Sequence, residues 1–153
     1  MITQSHENIK EIAENLDMSF RAFIHRTNGA LLFIPGKDAG FSPDDGGWEE
    51  ELEELENNLT EYLEIEKWTS GNAFRMNVEF TKQLTSPKSV QTLLFEALEM
   101  RKPFKQFRAV LDQSGDVLQE WYVFKSNWQQ NYVEQWLKEE TMPKNDEESE
   151  EEE

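Results

Sequence analysis

Residues 103–137 read PFKQFRAVLDQSGDVLQEWYVFKSNWQQNYVEQWL. The stretch holds three of the chain's five tryptophans and three of its ten phenylalanines, and their spacing is helical. Laid out at about 100° per residue, Val117, Leu118, Trp121, Phe124, Trp128, Tyr132 and Trp136 fall within roughly one third of the circumference. A long final helix from about Asp116 to Lys138, with one continuous aromatic face, is therefore expected. Before it, Pro103 restarts the chain into Phe104, Phe107, Val110 and Leu111, and Ser114-Gly115 ends that shorter helix with glycine near its C′ position. Two helices against one body is the reading that decides the fold.

Working back, Ser86-Pro87 places serine at an N-cap and proline at N1, with Val90, Leu93, Leu94, Ala97 and Leu98 carrying a helix to about Met100. Thr69 or Ser70 caps a helix over Gly71–Leu84, whose buried side is Phe74, Met76, Val78, Phe80 and Leu84. Tyr62–Trp68 alternates imperfectly with period two, which favours a strand; a helix continuing from Trp48 is the alternative. Trp48, Leu52, Leu55 and Leu59 form a narrow apolar stripe on an otherwise acidic helix.

The segment 35–47, PGKDAGFSPDDGG, carries four glycines and two prolines and is expected to be an irregular loop pinned by Phe41. Phe20–Thr27 and Ala30–Ile34 flank Asn28-Gly29, which predicts a hairpin closed by a type I′ turn with positive φ at both central residues. Ile9, Ile12 and Leu16, after Ser5, predict a helix over residues 6–17. The order of elements argues an α+β domain over residues 1–138: a small antiparallel sheet, made of the N-terminal hairpin and a third strand, with helices laid over one face.

The formal net charge is −17. Residues 139–153 hold nine acidic residues against one lysine, and the remaining chain keeps −9. That terminal segment has the composition of a disordered acidic tail. So negative a chain repels phosphate backbones and anionic membrane surfaces at long range, which disfavours nucleic acid as the default partner. Cysteine is absent, which excludes disulfides, thiolate metal sites and cysteine nucleophiles. No basic-then-apolar leader and no apolar run near ~18 residues occurs, so a cytoplasmic location without a membrane anchor is expected.

The motifs IAENLDM, YLEIEKW, FRMNVEF, ALEMRKPFKQFRAVL, EWYVFK and EQWL together resemble a family of small bacterial proteins known only as an uncharacterised protein family. The most specific part is Pro-Phe-x-x-Phe, then Trp-Tyr-x-Phe and a closing Trp-Leu: Pro103, Phe104, Phe107, Trp121, Tyr122, Phe124, Trp136 and Leu137. The resemblance implies no activity, cofactor or functional residue. Arg75-Met76 and the loop 35–47 match loosely, and the acidic tail reads as particular to this chain.

No HExxH, P-loop, G-x-G-x-x-G or G-x-S-x-G motif occurs, so no catalytic residue, metal or cofactor is expected. His6 and His25 read as solvated or structurally bonded, with a general base or metal ligand as the competing role for either. Asp44-Asp45-Gly46 lacks the alternating ligands of a calcium loop. Arg101, Lys102, Lys105 and Arg108 form the dense basic cluster of an acidic chain, at a helix start where unpaired amides also favour anions. It reads either as a site for an acidic or phosphate-bearing partner, or as a patch paired internally with the Glu49–Glu56 helix or shielded by the tail. Lys125, inside the aromatic arc, extends the candidate surface, with its stem along exposed apolar edge. The expectation is an interaction or adaptor domain for an unidentified protein. A phosphate-ligand or RNA module at the same cluster is the alternative, and an enzyme with a cleft unseen in sequence stands third.

Overall fold

The computed structural model describes residues 4–40, 42 and 46–141. Phe41, Asp44-Asp45 and the tail from residue 142 lie outside the described residues, and with them the expected loop anchor, calcium-loop likeness and tail disorder. The elements are α1 (His6–Asp17), β1 (Phe20–His25), β2 (Leu31–Pro35), α2 (Glu49–Asn57), β3 (Tyr62–Ile65), α3 (Ser70–Gln83), α4 (Lys88–Leu98), α5 (Pro103–Asp112) and α6 (Asp116–Thr141). The class is α+β as expected. Packing divides the described residues into two compact units, those within 1–67 together with 130–141, and those within 68–129.

The first unit holds an antiparallel sheet of order β2-β1-β3. Tyr62–Ile65 is thus a strand, and a 3-10 turn at Leu59–Glu61 separates it from α2. That turn leaves Leu59 exposed, so it drops out of the stripe expected for α2. Ala22, Phe23 and Ile24 are buried in succession on the central strand, so both sheet faces are covered rather than one. Phe23 joins Leu32, Ile34, Leu55 and Tyr62 beneath Trp48 and Leu52. The opposite face, bearing Ala22 and Ile24, belongs to α1, which packs on β1 through Ile9, Ile12, Ala13 and Leu16. The Ser5 hydroxyl caps α1 by accepting from the Asn8 amide at 3.1 Å.

The hairpin forms where Asn28-Gly29 predicts it, but with a different turn. Only Gly29 of the pair has positive φ, at 76°. The strands close at His25 and Ala30 (2.8 Å), leaving Arg26–Gly29 as a wider connection in which the Asn28 side chain accepts from the Ala30 amide at 2.8 Å. An Asx-type bond inside the loop thereby replaces the tighter turn. At the far end of the hairpin, a Cβ on Gly36 would sit 2.5 Å from the Ser19 carbonyl oxygen, so only glycine fits there.

The second unit is helical. Thr69 caps α3 reciprocally with Asn72: each side chain bonds the other's backbone amide at 3.0 Å. Pro87, not Ser86, is the N-cap residue of α4, with no side-chain cap bond. The core joins Met76, Phe80 and Leu84 to Leu94 and Leu98, then to Phe107, Leu111, Val117 and Trp121. Leu93, expected in this core, is 49% exposed.

The α6 helix runs to Thr141, three residues past the expected end. Its buried side does not follow one stripe. Residues 116–129 bury Val117 and Trp121 in the second unit, whereas residues 130–141 bury Val133 and Leu137 in the first. At 3.6 residues per turn, Val133 points about 120° away from Trp121. Tyr132 and Trp136, expected on the single face, are therefore only half-buried. The Tyr132 hydroxyl instead donates to the Glu66 carbonyl at 2.8 Å.

Leu137→Ala should destabilise the protein by about 2–5 kcal/mol in urea unfolding, while Leu59→Ala should stay within about 0.5 kcal/mol. Tyr62 is buried and donates to Glu54 at 3.0 Å; burial first, then that bond, pushes its phenol above the ordinary tyrosine range. Its stabilising contribution is present in full below about pH 10 and is lost as pH rises through the folded value. Stability should therefore fall on the alkaline side, and Tyr62→Phe should make that fall shallower in unfolding curves taken across the range.

Candidate partner-binding surface

The turn between α4 and α5 is built by local rules. The helix α4 ends at Leu98 and is capped by Glu99, whose amide bonds the Glu96 carbonyl, and Met100 follows with a bond to Ala97 at 3.2 Å. Proline at the first position of α5 has no amide to satisfy and disfavours right-handed helix in the residue before it. Lys102 avoids the right-handed region but, instead of the extended conformation usual before proline, sits in the left-handed region, at φ 54° and ψ 59°. For a residue other than glycine this costs about 1 kcal/mol. The corner thus carries a lysine side chain where glycine would be less strained.

Arg101, Lys102 and Lys105 are exposed, and none forms an ion pair among the described residues of its unit. Arg108 is different. Its Nε donates to Asp112 at 2.8 Å, a terminal nitrogen donates to the Tyr122 hydroxyl at 2.6 Å, and the guanidinium lies 5.5 Å from the Tyr122 ring centre. The Asp112 bond, above all, holds its pKa above the ordinary arginine value. Internal pairing therefore accounts for Arg108, through its own helix neighbour. Lys125 is half-buried on α6 and is not free. The structure brings together three of the five expected cations at one corner.

Beside them stand apolar side chains in water. Met100 is 51% exposed and Phe104 is 43% exposed, although the Phe104 ring still meets Phe74 edge-on at 6.4 Å. A cavity of about 310 Å³ continues from Met100 between α4 and α5. Its lining includes Leu93, which periodicity placed in the core. Val90, Leu93, Leu94, Phe95, Ala97 and Leu98 cover more of the helix circumference than one buried face can take, and that excess was the available signal.

A larger cavity of about 550 Å³ lies in the first unit beside β3 and Trp136. Its charges are mixed, and Arg21 and Glu64 neutralise each other through two bonds of 2.9 Å. His25 borders neither cavity. Its Nε2 meets Glu61 at 3.0 Å, and its Nδ1 accepts from the amides of Thr27 and Asn28 at 3.1 and 3.2 Å. Accepting at Nδ1 assigns the proton to Nε2, so Nδ1 is spent on the hairpin loop and Nε2 on Glu61 of the turn before β3, and neither is placed to act as a base. His6 is exposed at the start of α1. Among the described residues no cluster of three His, Asp or Glu side chains is placed to hold a metal, and no helix is long and apolar enough to cross a membrane.

A profile of an uncharacterised protein family, UPF0158, matches residues 1–152, so the acidic tail expected to be particular to this chain lies within the matched span. The UPF0158 protein PA5073 of Pseudomonas aeruginosa is 29% identical over 83 residues, which cover 54% of this chain and 54% of that protein. The aligned part is thus about half the length of the curated relative it matches. No solved structure matches the chain. The match along nearly the whole sequence agrees with the resemblance read from the aromatic C-terminal motifs, and the chain belongs to the uncharacterised protein family UPF0158.

Proposed function

We propose that the protein is a non-enzymatic, cytoplasmic interaction module whose docking surface is the α4–α5 turn. The observation that carries this reading is the exposure of Met100, Arg101, Lys102, Phe104 and Lys105 within six consecutive residues at one helix-to-helix turn. Methionine, aromatic and arginine side chains are enriched at the centres of protein interfaces, and this corner gathers all three on a rigid helical hairpin. Its positive charge in a chain of net −17 selects a partner surface bearing carboxylates. The second reading, an RNA or phosphate-bearing ligand at the same cations, is favoured by their position before a helix start but opposed by the field of the whole chain.

A photo-crosslinking residue in place of Phe104 should give a discrete protein adduct in cells, lost when Arg101, Lys102 and Lys105 are changed to glutamate. The same residue in place of Lys10 serves as the control. A fluorescent oligoribonucleotide should show no binding at low salt. Oligonucleotide binding with a steep salt slope, abolished by the glutamate variant, would replace the protein reading with the RNA one.

A further inference from the structure

Resting on that reading, we infer that the α4–α5 groove seats an acidic amphipathic helix of the partner, its apolar stripe between the two helices and its carboxylates at the basic turn. The groove's walls decide the form of the occupant. Val90, Leu93, Ala97 and Met100 recur at three- and four-residue steps along one wall, and Gln106 and Val110 do so on the other. Leu93 and Met100 are about half exposed, so apolar surface is available for burial.

Both walls are helices whose main-chain groups in this stretch are bonded along their own axes. An extended peptide would find no strand edge to pair with, so recognition must run through side chains set into the groove at helical spacing. The α4 helix has 11 residues and is about 16 Å long, which matches roughly three turns of an occupant presenting apolar residues at i, i+3 or i+4, and i+7.

Charge decides its sign and orientation. Arg101 and Lys102 follow Met100, and Lys105 precedes Gln106, so the exposed cations stand at the turn just beyond one end of the groove, whose own charged lining residue is Glu96. An occupant with acidic residues at that end complements it. The net charge of the chain repels the same occupant from afar, so affinity comes from contact in the groove rather than from steering. Salt screens both terms, and its effect on binding is shallow, unlike that on a polyanion.

The test uses the full chain and a synthetic peptide of about 18 residues with leucines at i, i+4 and i+7 and glutamates elsewhere. Controls are a scrambled peptide of the same composition and a version with lysine for glutamate. The acidic stripe peptide should bind with a Kd of tens of micromolar, about −6 kcal/mol. The double variant Leu93→Ser/Met100→Ser should weaken it at least tenfold, and Arg101→Glu/Lys105→Glu by a similar factor. Peptide-induced amide shifts in the wild-type protein should centre on Leu93, Met100 and Val110, which keeps the test independent of whether a variant folds. Absence of binding, equal binding of the scrambled or lysine peptide, or shifts centred elsewhere overturns the inference. If the Phe104 crosslink persists in any of those cases, the interaction reading stands without the helix; if the crosslink itself is absent, the wider reading fails.

Discussion

Trp121 is the contact on which the helical unit depends. Its indole meets Phe80 at 5.3 Å and Phe107 at 5.4 Å, both edge-on, and Phe80 meets Phe124 in the same manner at 5.4 Å. These rings join α3, α5 and α6 through directional pairs worth about 1 kcal/mol each beyond the area they bury. Leu94 and Leu98 add α4 to the same core, and Met76, Leu84 and Leu111 fill the space around it. With α5 fixed to Trp121 through Phe107, and α4 through the leucines, the turn between α4 and α5 is held by the core on both sides.

That anchoring gives the basic corner its character. The exposed side chains of Arg101, Lys102 and Lys105 project from helix ends rather than from a long loop, and Lys102 occupies a strained backbone position. A surface on rigid elements loses less entropy on binding than a mobile one. The fourth cation of the cluster serves the fold instead. Arg108, one turn along the same helix, is drawn to Asp112 and Tyr122 and ties α5 to α6 within the unit.

The final helix obeys two cores in succession. Trp121 and Val117 answer to the aromatic cluster, and Val133 and Leu137 answer to the sheet-bearing unit. Each half is amphipathic toward its own unit, and Tyr132 and Trp136, which fall outside the arc that buries Val133 and Leu137, are left half-buried. In this position tyrosine is useful, since Tyr132 keeps an apolar ring against protein and sends its hydroxyl to the Glu66 carbonyl.

Much of the fold was legible because its signals are local. Serine before Ile9, Ile12 and Leu16, the Asn28-Gly29 pair, threonine before Asn72 and proline at 103 each restrict the backbone within a few residues, and each lies where its element begins or turns. The basic cluster and the family's aromatic motifs were likewise plain in composition. Other features depended on neighbours distant in sequence. The face of α6 that is buried, the exposure of Leu93 and Leu59, and the covering of both sides of the sheet are fixed by which element arrives to pack there. So is the diversion of Arg108 to Tyr122, although its bond to Asp112 is a local helix pair. The sequence by itself determined where helices and strands form, because those choices are made by dihedral preferences and capping bonds. Only the tertiary structure decided which apolar residues stay in water and which cations stay unpaired, because burial and pairing are properties of the neighbours that folding supplies.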